Sequence, residues 1–513
     1  MKASADLFDL IKSLTKSEKR FFKLFAGLQE GEKNYLRLFD GIDRQGEYDE
    51  ETLRRELDLR HISFEKNYLY KLILKSLRNF HSEFSIKSQL SDLLRNVEIL
   101  HSKGLYRQCE KKLNKCKKLA KEHEQYHISQ EILKWESTLL FNTLSTPDIV
   151  NRSKYIYNEQ EELLKKTRNI IDFDRLSDQI AFMAQKSGAT RTEAEDKVYE
   201  RLLKHPLLKE ENCAITEKTK KQFYYIHAMA AIAVGDTEKG YQYRKKHLEM
   251  VESKMESVRF NLANYIYVLN NFGWACLLTH RYDEVAETVA KLRNIGVEFS
   301  DHFPPALEAR VFVRVYILDL FNAAKRGDFN YGVTLIEEIE KELGKHAPKI
   351  DKTQLFLLHL AAVNICFGLS DPRKSLPWLN HILNTPDIEL RQDFHCLSKI
   401  LNLLIHFELG NADMIEHLLK STYRFLARKH RLYRFEAALL QFIRRELSGP
   451  QDNQQLRGAF VRLKEALTEI LQDTHEKNVL WYFDFVSWLE SKIENRPFSE
   501  IVREKFRAAD FAA

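Results

Sequence analysis

Short turn signals recur along this chain at a nearly constant interval, and that recurrence restricts the fold more than any other feature. Gly235-Asp236, His280-Arg281, Gly327-Asp328, Ser370-Asp371, Gly410-Asn411 and Gly449-Pro450 follow one another at steps of 45, 47, 43, 40 and 39 residues. Gly104 stands 131 residues before Gly235, close to three such steps, with fainter signals near Pro147 and Gly188 in between. Between the turns the apolar residues keep helical spacing. Residues 265–292 read as two amphipathic helices about a turn at His280 and Arg281, and the outline returns at 223–247, 309–343 and 355–383. One helical pair cannot bury its own apolar face, so a period of about 43 residues predicts stacked hairpins.

Composition agrees with helix. Only 17 Gly and 10 Pro occur in 513 residues, too few to punctuate many strands. The 30 % charged and 44 % hydrophobic content suits amphipathic helices with a long wet surface. Residues 1–84 lack the period and predict a compact helical head. Thr15-Lys16-Ser17-Glu18 is a capping box ahead of Phe21, Phe22, Leu24 and Phe25; residues 49–57 and 64–84 read as further helices with a break near 59–63. Residues 85–475 carry the repeats. In 476–513, Trp481, Phe485 and Trp488 at helical spacing, followed by Pro497-Phe498-Ser499, read as C-terminal capping helices.

Phe272-Gly273, with Tyr282 two residues past the turn, resembles the tetratricopeptide pattern of a small residue in the first helix and an aromatic opening the second. Phe329 and Tyr106 stand in the Tyr282 place of other units, and Cys109 and Cys116 fall where that family has small residues. The period exceeds the family's usual length of about 34 residues, which implies longer helices and overlaps the HEAT-like range. The resemblance implies an all-α fold: a right-handed α-α superhelix of about eight or nine long helical hairpins behind the helical head. It also implies a non-enzymatic protein- or peptide-binding scaffold that uses no cofactor and whose first helices line a concave face. Transferring the inward positions selects Tyr267, Asn270 and Trp274, then Arg310 and Arg314, then Asn364. Asn and Arg amid aromatics suit a peptide backbone or carboxylate.

Two other function classes have sequence features to weigh. A head followed by repeats has the layout of peptide-responsive transcription regulators. In that alternative Lys66, Asn67, Tyr70, Lys71, Lys75 and Arg78 would face a phosphate backbone while Leu69, Ile73 and Leu77 pack inward. Nucleic acid is the less favoured partner, because residues 1–80 hold 16 basic against 14 acidic side chains and Asp49, Glu50, Glu51, Glu56 and Asp58 precede that helix. The weaker alternative is a zinc metallohydrolase at His123-Glu124-Gln125-Tyr126-His127, an H-E-x-x-H string. Its place between two helices of the repeat pattern argues for a turn, and no metal is expected. Basic runs at 111–121 and 424–445 read as solvated outer faces. No Gly-rich phosphate loop or nucleophile elbow occurs.

The net charge of +6 over 80 basic and 74 acidic side chains is a weak field. Six cysteines at no metal-like spacing suit a reducing compartment, so a cytoplasmic location is expected. Residues 1–14 lack a signal-peptide stretch. The most apolar run, 355–369, is short and holds His359 and Asn364, so no membrane partner is expected.

Overall fold

The sequence turns form as helix ends of one design. At Gly104, Gly235, Gly327 and Gly410 the backbone enters the left-handed region, and His280 takes the same place with φ +60°. The next N–H closes back on the carbonyl five residues earlier: Leu105 to Leu100, Asp236 to Ala231, Arg281 to Cys276, Asp328 to Ala323 and Asn411 to His406, all at 2.9–3.0 Å. This is the Schellman closure that stops a helix sharply. Asp236 and Asp328 then cap the following helix by accepting from the Lys239 and Tyr331 N–H groups. Stop and start are thus written in two adjacent residues, so the signal is visible in the sequence.

The computed structural model describes residues 5–27, 34–57, 62–82, 85–143, 146–299, 303–369, 371–385, 391–446 and 453–510. Among them the chain is all-α, with 26 α-helices and no strand. The expected turn at Gly449-Pro450, Ser370, residues 59–61 of the expected break and the head boundary at residue 84 lie outside the described residues, whereas Ile62 and Ser63, expected in that break, open a helix. No described helix is long and apolar enough to cross a membrane.

The chain divides into two compact units, Met1–Thr167 with Phe299–Pro305, and Arg168–Glu298 with Ala306–Ala513. In the first, helices Asp6–Ser13, Lys16–Gly27, Asn34–Arg44, Glu50–Leu57 and Ile62–Phe80 share one apolar core that includes Ile11, Phe22, Phe39, Leu53, Leu69 and Ile73. The capping box is present: Thr15 Oγ1 accepts from the Glu18 N–H and Glu18 accepts from the Thr15 N–H. Helices Ile86–Ser102 and Tyr106–Glu122 then form a hairpin. Within it Cys109 and Cys116 are buried, their thiols directed at the Val97 and Leu90 carbonyls.

The second unit holds the regular hairpins: Glu217–Ala233 with Thr237–Glu252, Leu262–Leu278 with Tyr282–Glu298, Pro305–Arg326 with Phe329–His346, Lys352–Gly368 with Ser375–Leu383, and Gln392–Glu408 with Ala412–Arg428. Small residues set the approach between helices. A Cβ on Gly273 would stand 2.8 Å from Leu318 of the next hairpin, and one on Gly332 would stand 2.5 Å from Ile365. Arg434–Glu446 and Asn453–Ile470 follow, then Phe485–Glu494 and Phe498–Asp510.

Candidate binding site

Of the segment 476–513 expected as a cap, the described residues 476–510 pack on the last helices through Trp488 against Phe460 and Phe407. They also reach the turns of earlier hairpins. Asn478 donates to the Thr190 carbonyl, Lys325 donates to the Leu480 carbonyl, Phe506 meets Tyr282, and Arg503 donates to the Gly327 carbonyl. At the centre Tyr482 packs against Trp274, Phe321 and Phe394, and its hydroxyl accepts from Arg391 at 2.9 Å. Arg391 is itself held by Asp393 at 2.7 Å, and its N–H donates to the Gln185 carbonyl. Tyr482 lines both a cavity of about 620 Å³ and one of about 230 Å³.

The smaller cavity lies beside helix Leu262–Leu278, where Tyr267, Asn270 and Trp274 are spaced three and four residues apart and share a face. Asn270 and Trp274 line it with Asn271, Met229, Ile232, Leu278, Leu357, Gln354 and Trp481. Arg244, from helix Thr237–Glu252, also lines it. Only 3 % of Arg244 is exposed, and its Nε and Nη1 have no hydrogen-bond partner. Its guanidinium lies over the Tyr225 ring at 5.1 Å, and the Tyr267 hydroxyl donates to that of Tyr225. Burial pushes the Arg244 pKa down, opposed only by the two phenols. Burial, then Arg244 and Lys221, drive His247 one turn on down to about 3. Asn270 Oδ1 and Asn271 Nδ2 are likewise buried without partners.

The remaining sequence-selected residues divide. Arg314 is half-buried with Nε and Nη1 unpartnered; burial and then Arg310 lower its pKa, against Asp351 and Tyr267. Arg310 is exposed. Asn364 lies apart from the others, lining the larger cavity and bonded through Nδ2 to the Leu360 carbonyl. In helix Ile62–Phe80 the inward residues Leu69 and Ile73 are fully buried, and Asn67, Tyr70, Lys71, Lys75 and Arg78 are exposed. Lys66 departs from that stripe: its ammonium is 2.7 Å from both Glu50 and the Tyr48 hydroxyl, which withdraws it from the surface.

The H-E-x-x-H string spans a helix end. Helix Tyr106–Glu122 stops before His123, Glu124 has φ +50°, and the next helix starts at Tyr126, so the two His are not one turn apart on a helix face. Burial raises the Cys116 thiol to about 11 and those of Cys366 and Cys396 to about 12, as in packing positions.

Sequence reasoning missed Arg244, Asn271, Arg391, Trp481 and Tyr482. Arg244 stands among Tyr243, Lys245, Lys246 and His247, a basic stretch that the sequence reading did not single out. A signal existed, because Tyr241, Arg244 and Leu248 share the helical spacing of the buried side. Comparison with protein-family models, curated proteins and solved structures found no match to this chain.

Proposed function

We propose that this chain is a non-enzymatic scaffold whose tetratricopeptide-like hairpins wind as a right-handed superhelix and take a protein or peptide partner on their concave face, in the cytoplasm. The observation that carries the reading is the common face of Tyr267, Asn270 and Trp274. It presents aromatic surface beside polar groups that the fold leaves unsatisfied, Asn270 Oδ1 among them and Arg314 nearby. Buried polar atoms are nearly always paired, so unsatisfied ones along one face favour a partner that supplies the missing bonds. The close approach at Gly273 and Gly332 supports the small-residue positions of the tetratricopeptide pattern, and six free thiols support a reducing compartment.

The test is affinity capture from the native host with wild type and with Asn270→Ala and Arg314→Ala. The proposal expects a defined partner that is retained by wild type and lost from both variants with helicity unchanged. Equal recovery from all three would refute the concave face as the binding surface. A second reading, a transcription regulator with a DNA-contacting head, is favoured by the exposed Lys71, Lys75 and Arg78 and weakened by the pairing of Lys66 with Glu50.

A further inference from the structure

The cavity beside Arg244 carries an inference that does not rest on the scaffold reading. A guanidinium keeps its charge at any physiological pH, so a buried one without a counter-ion is costly and persists where something compensates it. Arg244 has no ion pair among the described residues, whereas Arg391 on the same cavity is already taken by Asp393 and Tyr482. Among the described residues that line it, the buried donors without a partner are Arg244 Nε and Nη1 and Asn271 Nδ2, and the buried acceptor without one is Asn270 Oδ1. Most of the rest of the wall is apolar or aromatic, including Met229, Ile232, Leu278, Leu357, Trp274 and Trp481, with Gln354 and the Asp393-paired Arg391 also on it.

We infer that this cavity binds a small organic carboxylate of amino-acid size, with its carboxylate on Arg244 and Asn271, an N–H on Asn270 and its apolar body against Trp274 and Trp481. Nε and Nη1 lie on different edges of the guanidinium, so a planar carboxylate takes one N–H from Arg244 and one from Asn271. The volume, about 230 Å³, lies below the roughly 300–1,000 Å³ of drug-sized sites and sets the ligand size.

The test is thermal melting and calorimetry of the full chain against phenylalanine, phenylacetate and a panel of other free amino acids and small carboxylates. Phenylalaninol and inorganic phosphate serve as probes without the required chemistry. At least one apolar carboxylate raises the melting temperature and binds saturably, while phenylalaninol and phosphate do not. Arg244→Met and Asn271→Leu each weaken that binding by about tenfold or more, and Arg244→Lys retains part of it. Without ligand, Arg244→Met melts at or above the wild-type temperature, because it removes an uncompensated buried charge. A purely structural arginine would not behave so. The assignment is overturned if no carboxylate in the panel shifts the melt, if phosphate shifts it equally, or if Arg244→Met and Asn271→Leu bind as wild type does.

Discussion

Arg191, half-buried, and Arg244, buried, lie within the same unit, and their surroundings are opposite. The Arg191 side chain, 11 % exposed, holds Glu436 with two parallel bonds at 3.0 and 3.1 Å and reaches Glu476 at 2.9 Å, with the Tyr433 ring 4.3 Å beneath it. Burial pulls its pKa down, and the two carboxylates more than restore it. Arg244 meets two tyrosines and, among the described residues, no carboxylate. Glu476 also accepts the Arg434 and Phe435 N–H groups, so the Arg191 cluster ties the start of the C-terminal segment to two other elements. The difference separates two uses of a buried cation: one closes the fold, and the other is left open to a ligand.

The largest effect expected from this contrast is at the paired site. Arg191→Ala leaves Glu436 and Glu476 facing each other in a buried pocket, and breaking such a cluster costs about 3–5 kcal/mol. Urea unfolding followed by tryptophan emission checks it, since Trp481 and Trp488 lie in the segment the cluster anchors. Burial already raises the Glu436 pKa, so Glu436→Gln in the Arg191→Ala background recovers part of the loss. A loss no larger than that of an exposed arginine would mean that the cluster does not anchor the segment, and the contrast with Arg244 would collapse.

The reach of this segment was the least legible part of the sequence. The hairpins were readable because their information is local: the left-handed residue, the following Asp cap and the helical apolar spacing sit within a few residues of one another, as at Gly235-Asp236 and Gly327-Asp328. Trp488 announced the buried helix Phe485–Glu494, whereas Trp481, expected on the same helix, ends a separate 3-10 turn, and nothing near them specifies Thr190, Tyr282 or Gly327 as neighbours. Those contacts join residues far apart in the chain and depend on shape. The same reason divided the candidate site. Tyr267, Asn270 and Trp274 share one helix and were found together, while Arg244 comes from the preceding helix and Tyr482 from the far end of the chain.

A smaller effect sharpens the comparison at the edge of the anchored segment. His475 is 2.7 Å from Asp196 and 3.2 Å from Asp473. Burial alone would lower its pKa, but the Asp196 hydrogen bond and both charges outweigh it, so the pKa lies above the usual 6.5. A raised folded-state value means that His475 contributes its stabilisation fully below pH 6.5 and loses it as pH rises through the raised value. The melting temperature therefore falls across that window, and Asp196→Asn flattens the fall. An unchanged slope in that variant would show that the pair does not bind the segment.

The smallest effect is expected where cations stand in water, on helix Ile62–Phe80. Lys71, Lys75 and Arg78 are exposed, so they have neither the counter-ions of Arg191 nor the enclosure of Arg244. Three such charges release few counterions: a slope of about −0.9 per contact limits the log-log salt dependence of DNA binding to about −3. Lys66 adds nothing while it pairs with Glu50, and Phe64, 70 % exposed, interrupts the stripe with apolar surface. Anisotropy titration near physiological salt should therefore find weak binding without sequence preference, and Lys71→Ala with Lys75→Ala should remove what little there is while leaving the melting temperature unchanged. Tight, sequence-selective binding abolished by that pair would promote the regulator reading over the scaffold. It would also show that the solvated cations of this chain, rather than the enclosed one, are its recognition groups.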